Sequence, residues 1–359
     1  MTTQARRCLC ALAVGLVVSC GAGHAQAKIW YVDDDGPADF SRPQPAVDAA
    51  QNGDTIIVRD GTYLREGGSQ NYPVIDFKGK AITVRSENGP ANCILSKGDH
   101  VVQFNSGETH SSVLCGFTIT GADPGGGINC WDSSPTILNN IVTGNWSEYG
   151  LGAILLHNSS AIVAGNIVMG NRVYGPCAGI YVCHGSDATI VNNTIVSNAE
   201  DPWEDNNGAI YCTHGGTATI ANCICWDNGD YDLFGCSATY SCLEHEHAGT
   251  GNTHDDPRFV SLGYRDVQNY EYVDYDFHLL SDSPCIDAGD NTAVPPALTV
   301  DIDGNPRLLN FPGVPDTGYP PGAQAIVDMG AYEAVPEPSM LALLGAGLAG
   351  LLGRRKRRR

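Results

Sequence analysis

The chain has 359 residues, 42% hydrophobic and only 17% charged, with 43 Gly and 20 Pro. That excludes a disordered polyelectrolyte and a coiled coil, and it leaves enough apolar residues for a core. Lys and Arg total 20 against 40 Asp and Glu, a formal net charge of −20. Nucleic acid is therefore excluded as a partner, since phosphate contacts need clustered Lys and Arg, and an anionic polymer would need a bridging cation.

The N-terminus reads as an address. Arg6 and Arg7 precede an apolar run from Cys8 to Val18, and Ala25-Gln26-Ala27 follows. This order predicts a secretory signal peptide over residues 1–27, cut after Ala27. A competing pattern, Val17-Val18-Ser19 before Cys20, resembles a bacterial lipobox and would lipidate Cys20. The leader holds Cys8, Cys10 and Cys20 of the 14 cysteines. The number left in the body is odd, so at least one thiol cannot pair internally. Export would permit disulfides. Cys223 and Cys225 stand too close for a zinc knuckle.

Residues 28–110 are predicted as an N-terminal cap and first coils, with a short capping helix at Ala46–Ala50 and an early coil at Lys80–Pro90. Ser111–Ala122 opens a regular region over 111–242. Four segments there align: Thr136–Asn145, Ile162–Asn171, Thr189–Asn198 and Thr219–Asn228, with final Asn residues stepping by 26, 27 and 30. Ile128, Ile154, Ile180 and Ile210 form one apolar column; Cys130, Leu156, Val182 and Cys212 form another two residues on.

Alternating apolar residues with Gly and Asn turns predict short strands and leave no room for a long helix. The period suits one coil of a parallel β-helix and is too short for a propeller blade of about 40 residues. Stacked coils bring equivalent residues to the strand spacing of about 4.8 Å. Asn140, Asn166 and Asn193 should then ladder, and so should Asn145, Asn171, Asn198 and Asn228. Residues 243–334, richer in Asp, Pro and Tyr, are predicted as last coils and an irregular C-terminal cap, since a solenoid end exposes core.

Candidate sites follow from this frame. Tyr181 with Tyr211 and His184 with His214 occupy equivalent positions and should stack outward, a strip that could meet a neutral glycan. The acidic loop around Asp201, Glu204 and Asp205 carries Trp203, an aromatic platform for a sugar; its acids are the catalytic candidates. Asp227, Asp230 and Asp232 could hold Ca²⁺, a hard cation wanting several oxygens. Asp301 and Asp303 in DIDGN resemble part of a Ca²⁺ loop that lacks its downstream Glu, and a turn is an equal reading. His245, Glu246, His247 and His254 match no zinc spacing. Arg172 is the single basic residue between His100 and Tyr240, which argues against a lyase that needs a cationic site.

The C-terminus has three parts: Val335-Pro336-Glu337-Pro338, a 14-residue apolar run from Met340 to Gly353, and a basic end, Arg354 to Arg359. The run is short for a spanning helix, and the basic cluster would hold its end on the cytoplasmic side. Residues 335–359 closely resemble a PEP-CTERM sorting signal. The resemblance implies processing by an exosortase, membrane entry of this segment before processing, and delivery to the cell surface or exopolysaccharide matrix.

The segment AAQNGDTIIVRDGTY, the run GGGINCWDSSPTILNN, and HLLSDSPCIDAGD, DIDGNPR and VDMGAYE resemble pectin-lyase-like right-handed β-helix proteins over roughly residues 28–333. The implied fold is an all-β, single-stranded right-handed parallel β-helix. The implied functions are wide. The expectation is a non-catalytic surface or matrix protein contacting carbohydrate; a polysaccharide lyase or glycoside hydrolase and a purely structural or adhesive protein are the alternatives.

Overall fold

Each repeat spends its apolar residues at every second position and its Gly and Asn at turns, so each coil becomes three short strands joined by tight corners. The computed structural model describes residues 26–65, 73–148, 150–175, 177–198, 208–266 and 271–336. They form a right-handed parallel solenoid of about 7 turns, with parallel sheets of nine, seven and eight strands. Its register is the one the repeat implies. Ile128 pairs with Ile154, Ile154 with Ile180, and Ile180 with Ile210. These isoleucines are buried in a continuous apolar core that runs from Val32 to Leu243.

The corners are held by amide ladders. The Asn171 side-chain oxygen accepts the backbone N–H of Asn145 at 3.1 Å and its Nδ2 at 3.0 Å. Asn198 does the same for Asn171, and Asn228 for Asn198. Asn140, Asn166 and Asn193 build the second ladder. A third column was not foreseen: Asp132, Asn158, His184 and His214 all take positive φ of 48–54°. Asn, Asp and His tolerate that left-handed region best, which gives the two histidines a turn-making reason to be there.

The open N-terminal end is covered by the helix Pro43–Ala49, with Pro at its first turn, where it costs no hydrogen bond, and with Ala46 and Val47 buried. The C-terminal end behaves differently from a simple continuation. The last parallel strand is Cys242–Leu243, which takes one further parallel bridge from Thr253. The described residues beyond it form two antiparallel pairs, Phe259–Ser261 with Asp276–Leu279 and Tyr264–Asp266 with Glu271–Val273. The chain then folds back along one flank of the solenoid. Asn139 Nδ2 donates to the Val300 and Asp301 carbonyls, Asn192 Nδ2 to Asp328, and Asn222 Nδ2 to Asp290. Gly165, at φ +69°, belongs to the same flank, and a side chain there would collide with Asn139 and Leu298.

Two cysteine pairs touch: Cys212 with Cys236, and Cys242 with Cys285. All eleven body cysteines stand as thiols here. In an oxidising compartment both pairs are expected to close, each adding roughly 3 kcal/mol. Non-reducing peptide mapping of exported protein should recover these cross-links. Alkylation of all eleven thiols without prior reduction would show that neither forms.

Candidate functional site

The outer face of the seven-stranded sheet carries the outward Tyr pair. The strands Ile180–Cys183 and Gly208–Thr213 place Tyr181 over Tyr211, ring centroids 5.6 Å apart and 4° from parallel. Phe234, on the edge strand Tyr231–Phe234, extends the stack at 4.3 Å. Beside it runs a second stack. His184 lies over His214 at 4.9 Å, His157 over His184 at 4.4 Å, and Trp131 over His157 at 3.6 Å. Trp131, His157 and Phe234 escaped the sequence reading. Trp131 and His157 share one register column, but that column continues as Cys183 and Thr213, so no aromatic repeat is visible. The stack passes diagonally from His157 to His184.

This geometry limits what the strip can do. Rings stacked along the solenoid axis cover one another's faces, and faces are what a sugar ring stacks on. The inner members offer only their edges. Free ring face remains at the ends: Phe234 is 43% exposed on the sheet edge, with Tyr231 edge-on at 6.4 Å, and Trp131 is also 43% exposed.

The acidic candidates separate. Asp201, Trp203, Glu204 and Asp205 lie outside the described residues. Asp227 and Asp232 turn to different partners. Asp227 accepts the Ser197 hydroxyl, and its backbone N–H donates to Glu244 at 2.7 Å. Asp232 turns inward on its strand, at the position that Ala209 holds one coil earlier, and meets Glu244 and His245 instead. Burial pushes its carboxyl up to about 6, against the pull of the His245 backbone N–H.

Asp301 makes a turn. Its carboxylate accepts the backbone N–H groups of Asp303, Asn305 and Glu333 and the Asn305 side chain, so its oxygens are already saturated. Asp303 faces His278, whose Nε2 lies 2.8 Å from it while Nδ1 lies 2.6 Å from Asp276. Burial alone would lower the His278 imidazole, but those two carboxylates outweigh it and hold it above its ordinary value. Tyr332 packs on the ring at 4.0 Å. His278, Asp303, Asn305 and Glu333 line a cleft of about 700 Å³. With a carboxylate on each nitrogen, the ring clasps Asp276 to Asp303.

Arg172 stacks on Trp146 at 4.9 Å. His254 Nδ1 is spent on the Leu243 carbonyl at 3.1 Å. Of the sorting residues, Val335 and Pro336 end the described chain, and Glu337 and Pro338 lie beyond it. No helix among the described residues is long and apolar enough to cross a membrane.

Comparison with known proteins agrees with this architecture. Residues 76–242 match the family described as right handed beta helix region, and residues 334–358 match the PEP-CTERM protein-sorting motif. That motif marks the chain for export and exosortase-type processing. No curated protein matches the sequence. Among solved structures, a pectin methylesterase from carrot is 11% identical, with 59% of this chain and 71% of that chain covered at a TM-score of 0.32. Pectate lyase Pel9A is 13% identical, with 87% and 98% covered at a TM-score of 0.35. At these values neither comparison says anything about chemistry in this chain.

Proposed function

We propose that this chain is an exported surface or matrix protein that contacts neutral carbohydrate along the outer face of its seven-stranded sheet, without cleaving it. The observation that carries this reading is the pair of parallel aromatic stacks, each ending in a ring 43% exposed, Trp131 in one and Phe234 in the other. A polymer laid along the solenoid axis would meet ring edges, the exposed His184 and His214 imidazoles and the exposed end rings Trp131 and Phe234. The formal net charge of −20 disfavours an anionic polymer. Ca²⁺ bridging by the Asp227–Asp232 segment is not needed for this reading.

Retention on immobilised neutral and acidic polysaccharides tests it, with new reducing ends and unsaturated uronides scored in parallel. Trp131→Ala with Phe234→Ala should weaken retention about tenfold, two exposed aromatic contacts being worth roughly 0.5–1.5 kcal/mol each. Product formation that disappears in Asp201→Ala or Asp205→Ala would replace this reading with a polysaccharide-degrading enzyme. The mutual covering of the inner ring faces favours a second reading, a purely structural or adhesive solenoid. Silence in both retention and product formation would select it.

A further inference from the structure

Asp232 is 0% exposed. Its Oδ2 accepts the His245 backbone N–H at 2.6 Å, but its Oδ1 has no hydrogen-bond partner. His245 Nδ1 is buried and equally without one, 3.4 Å from Asp232 Oδ2. Buried polar atoms are rarely left in this state, because each forfeits its hydration. Glu244 stands alongside. It holds the Asp227 N–H with Oε2, and a carboxylate retains capacity for further contacts. One donor atom from each of Asp232, Glu244 and His245 falls within 4.8 Å of the others.

A proton on His245 would serve Nδ1 and leave Asp232 Oδ1 unpaired. A metal ion between the three side chains would take one donor atom from each, the buried Asp232 carboxylate and the His245 imidazole among them. We propose that Asp232, Glu244 and His245 bind a divalent transition metal, with Zn²⁺ as the probe, at the C-terminal end of the solenoid. Two carboxylates and one imidazole suit Zn²⁺, which takes such ligands tetrahedrally and leaves a fourth position for water. Ca²⁺ fits poorly, since it seeks six to eight oxygens. The His245 side chain is 43% exposed and gives the ion a way in. The other His-rich group, His157, Cys183 and His184, is less suited. The His157 and His184 rings are stacked 25° from parallel, so their in-plane lone pairs run side by side instead of converging.

The test uses the full chain, stripped with chelator, dialysed against Zn²⁺ and then against metal-free buffer. Wild type should retain one Zn²⁺ per chain, and Co²⁺ in its place should show visible ligand-field absorption. Asp232→Asn and His245→Ala should each weaken retention at least tenfold, while Glu246→Ala, beside the site, retains the metal. Circular dichroism reports folding. If Asp232→Asn does not fold, His245→Ala decides, its ring lying at the surface. Wild-type retention no better than that of His245→Ala would overturn the site. So would retention lost only in His184→Ala, or binding of Ca²⁺ without Zn²⁺.

Discussion

Asn171→Ala should unfold the solenoid at a far lower denaturant midpoint than any surface substitution on the same coils. Asn171 is fully buried. Its side-chain oxygen takes two donors from Asn145, and its Nδ2 gives to the carbonyls of Val142 and Met169 at 2.8 and 3.1 Å. Alanine leaves the Asn145 backbone N–H without its acceptor and strips a donor from the Val142 and Met169 carbonyls and the Asn198 Oδ1, in a core that water does not reach. Asn145 Nδ2 keeps the Ile119 and Thr143 carbonyls. Each orphaned group costs about 1–3 kcal/mol, so a loss of about 4 kcal/mol is expected after relaxation. That is a large share of the roughly 5–15 kcal/mol that holds a domain folded. His214→Ala, exposed and losing one ring contact and a residue suited to its left-handed φ of 49°, should cost no more than about 2 kcal/mol. Midpoints are the quantity to compare, because repeat proteins need not unfold in one step. Equal midpoints for the two variants would mean that the ladder does not hold the corners.

Arg307→Met should loosen the C-terminal segment itself, because this side chain ties position 307 to residues 328–333 within it. Arg307 is 2% exposed, lies 3.1 Å from the Glu333 carboxylate, itself 0% exposed, and also donates to the carbonyls of Asp328, Gly330 and Ala331. Removing one member of a buried pair leaves the other charge uncompensated, at about 3–5 kcal/mol. The measurement is limited proteolysis: cleavage between residues 243 and 334 should appear while the coils stay protected. Wild-type resistance in Arg307→Met would show that the segment is held elsewhere.

The pH dependence of that segment has a definite sign. Burial pushes the Asp328 carboxyl up to about 7, against the backbone N–H groups of Ala334 and Asp287, and it pushes Glu333 up against the pull of Arg307. A carboxyl raised on folding binds more protons in the folded state, so its contribution is present at low pH and lost as pH climbs through the folded value. The wild-type segment should therefore resist protease better at pH 5 than at pH 8, and the Arg307→Met deficit should widen over the same window.

What was legible in the sequence was whatever the repeat enforces. In a parallel solenoid, residues one coil apart must pair, so columns read along the chain become columns in space: Ile128 with Ile154, Asn145 with Asn171, Tyr181 with Tyr211. The capping helix was legible too, since Ala46 and Val47 are an apolar step just before the first Gly-Asp turn. The C-terminal block has no such period. Its contacts join residues far apart in sequence, as Asn139 to Asp301 and Asn192 to Asp328 do, and nothing local encodes them. The same holds at Asp232, an acid that alternation cannot assign to the core and that is buried beside Glu244 and His245 of the last coil. By itself the sequence determined the sheets, their register and the ladders, because periodic strands have one way to bury their apolar columns. Only the tertiary structure decided which ring faces stay open, which acids meet and where the segment after Leu243 lies, because those depend on packing between residues that no repeat relates.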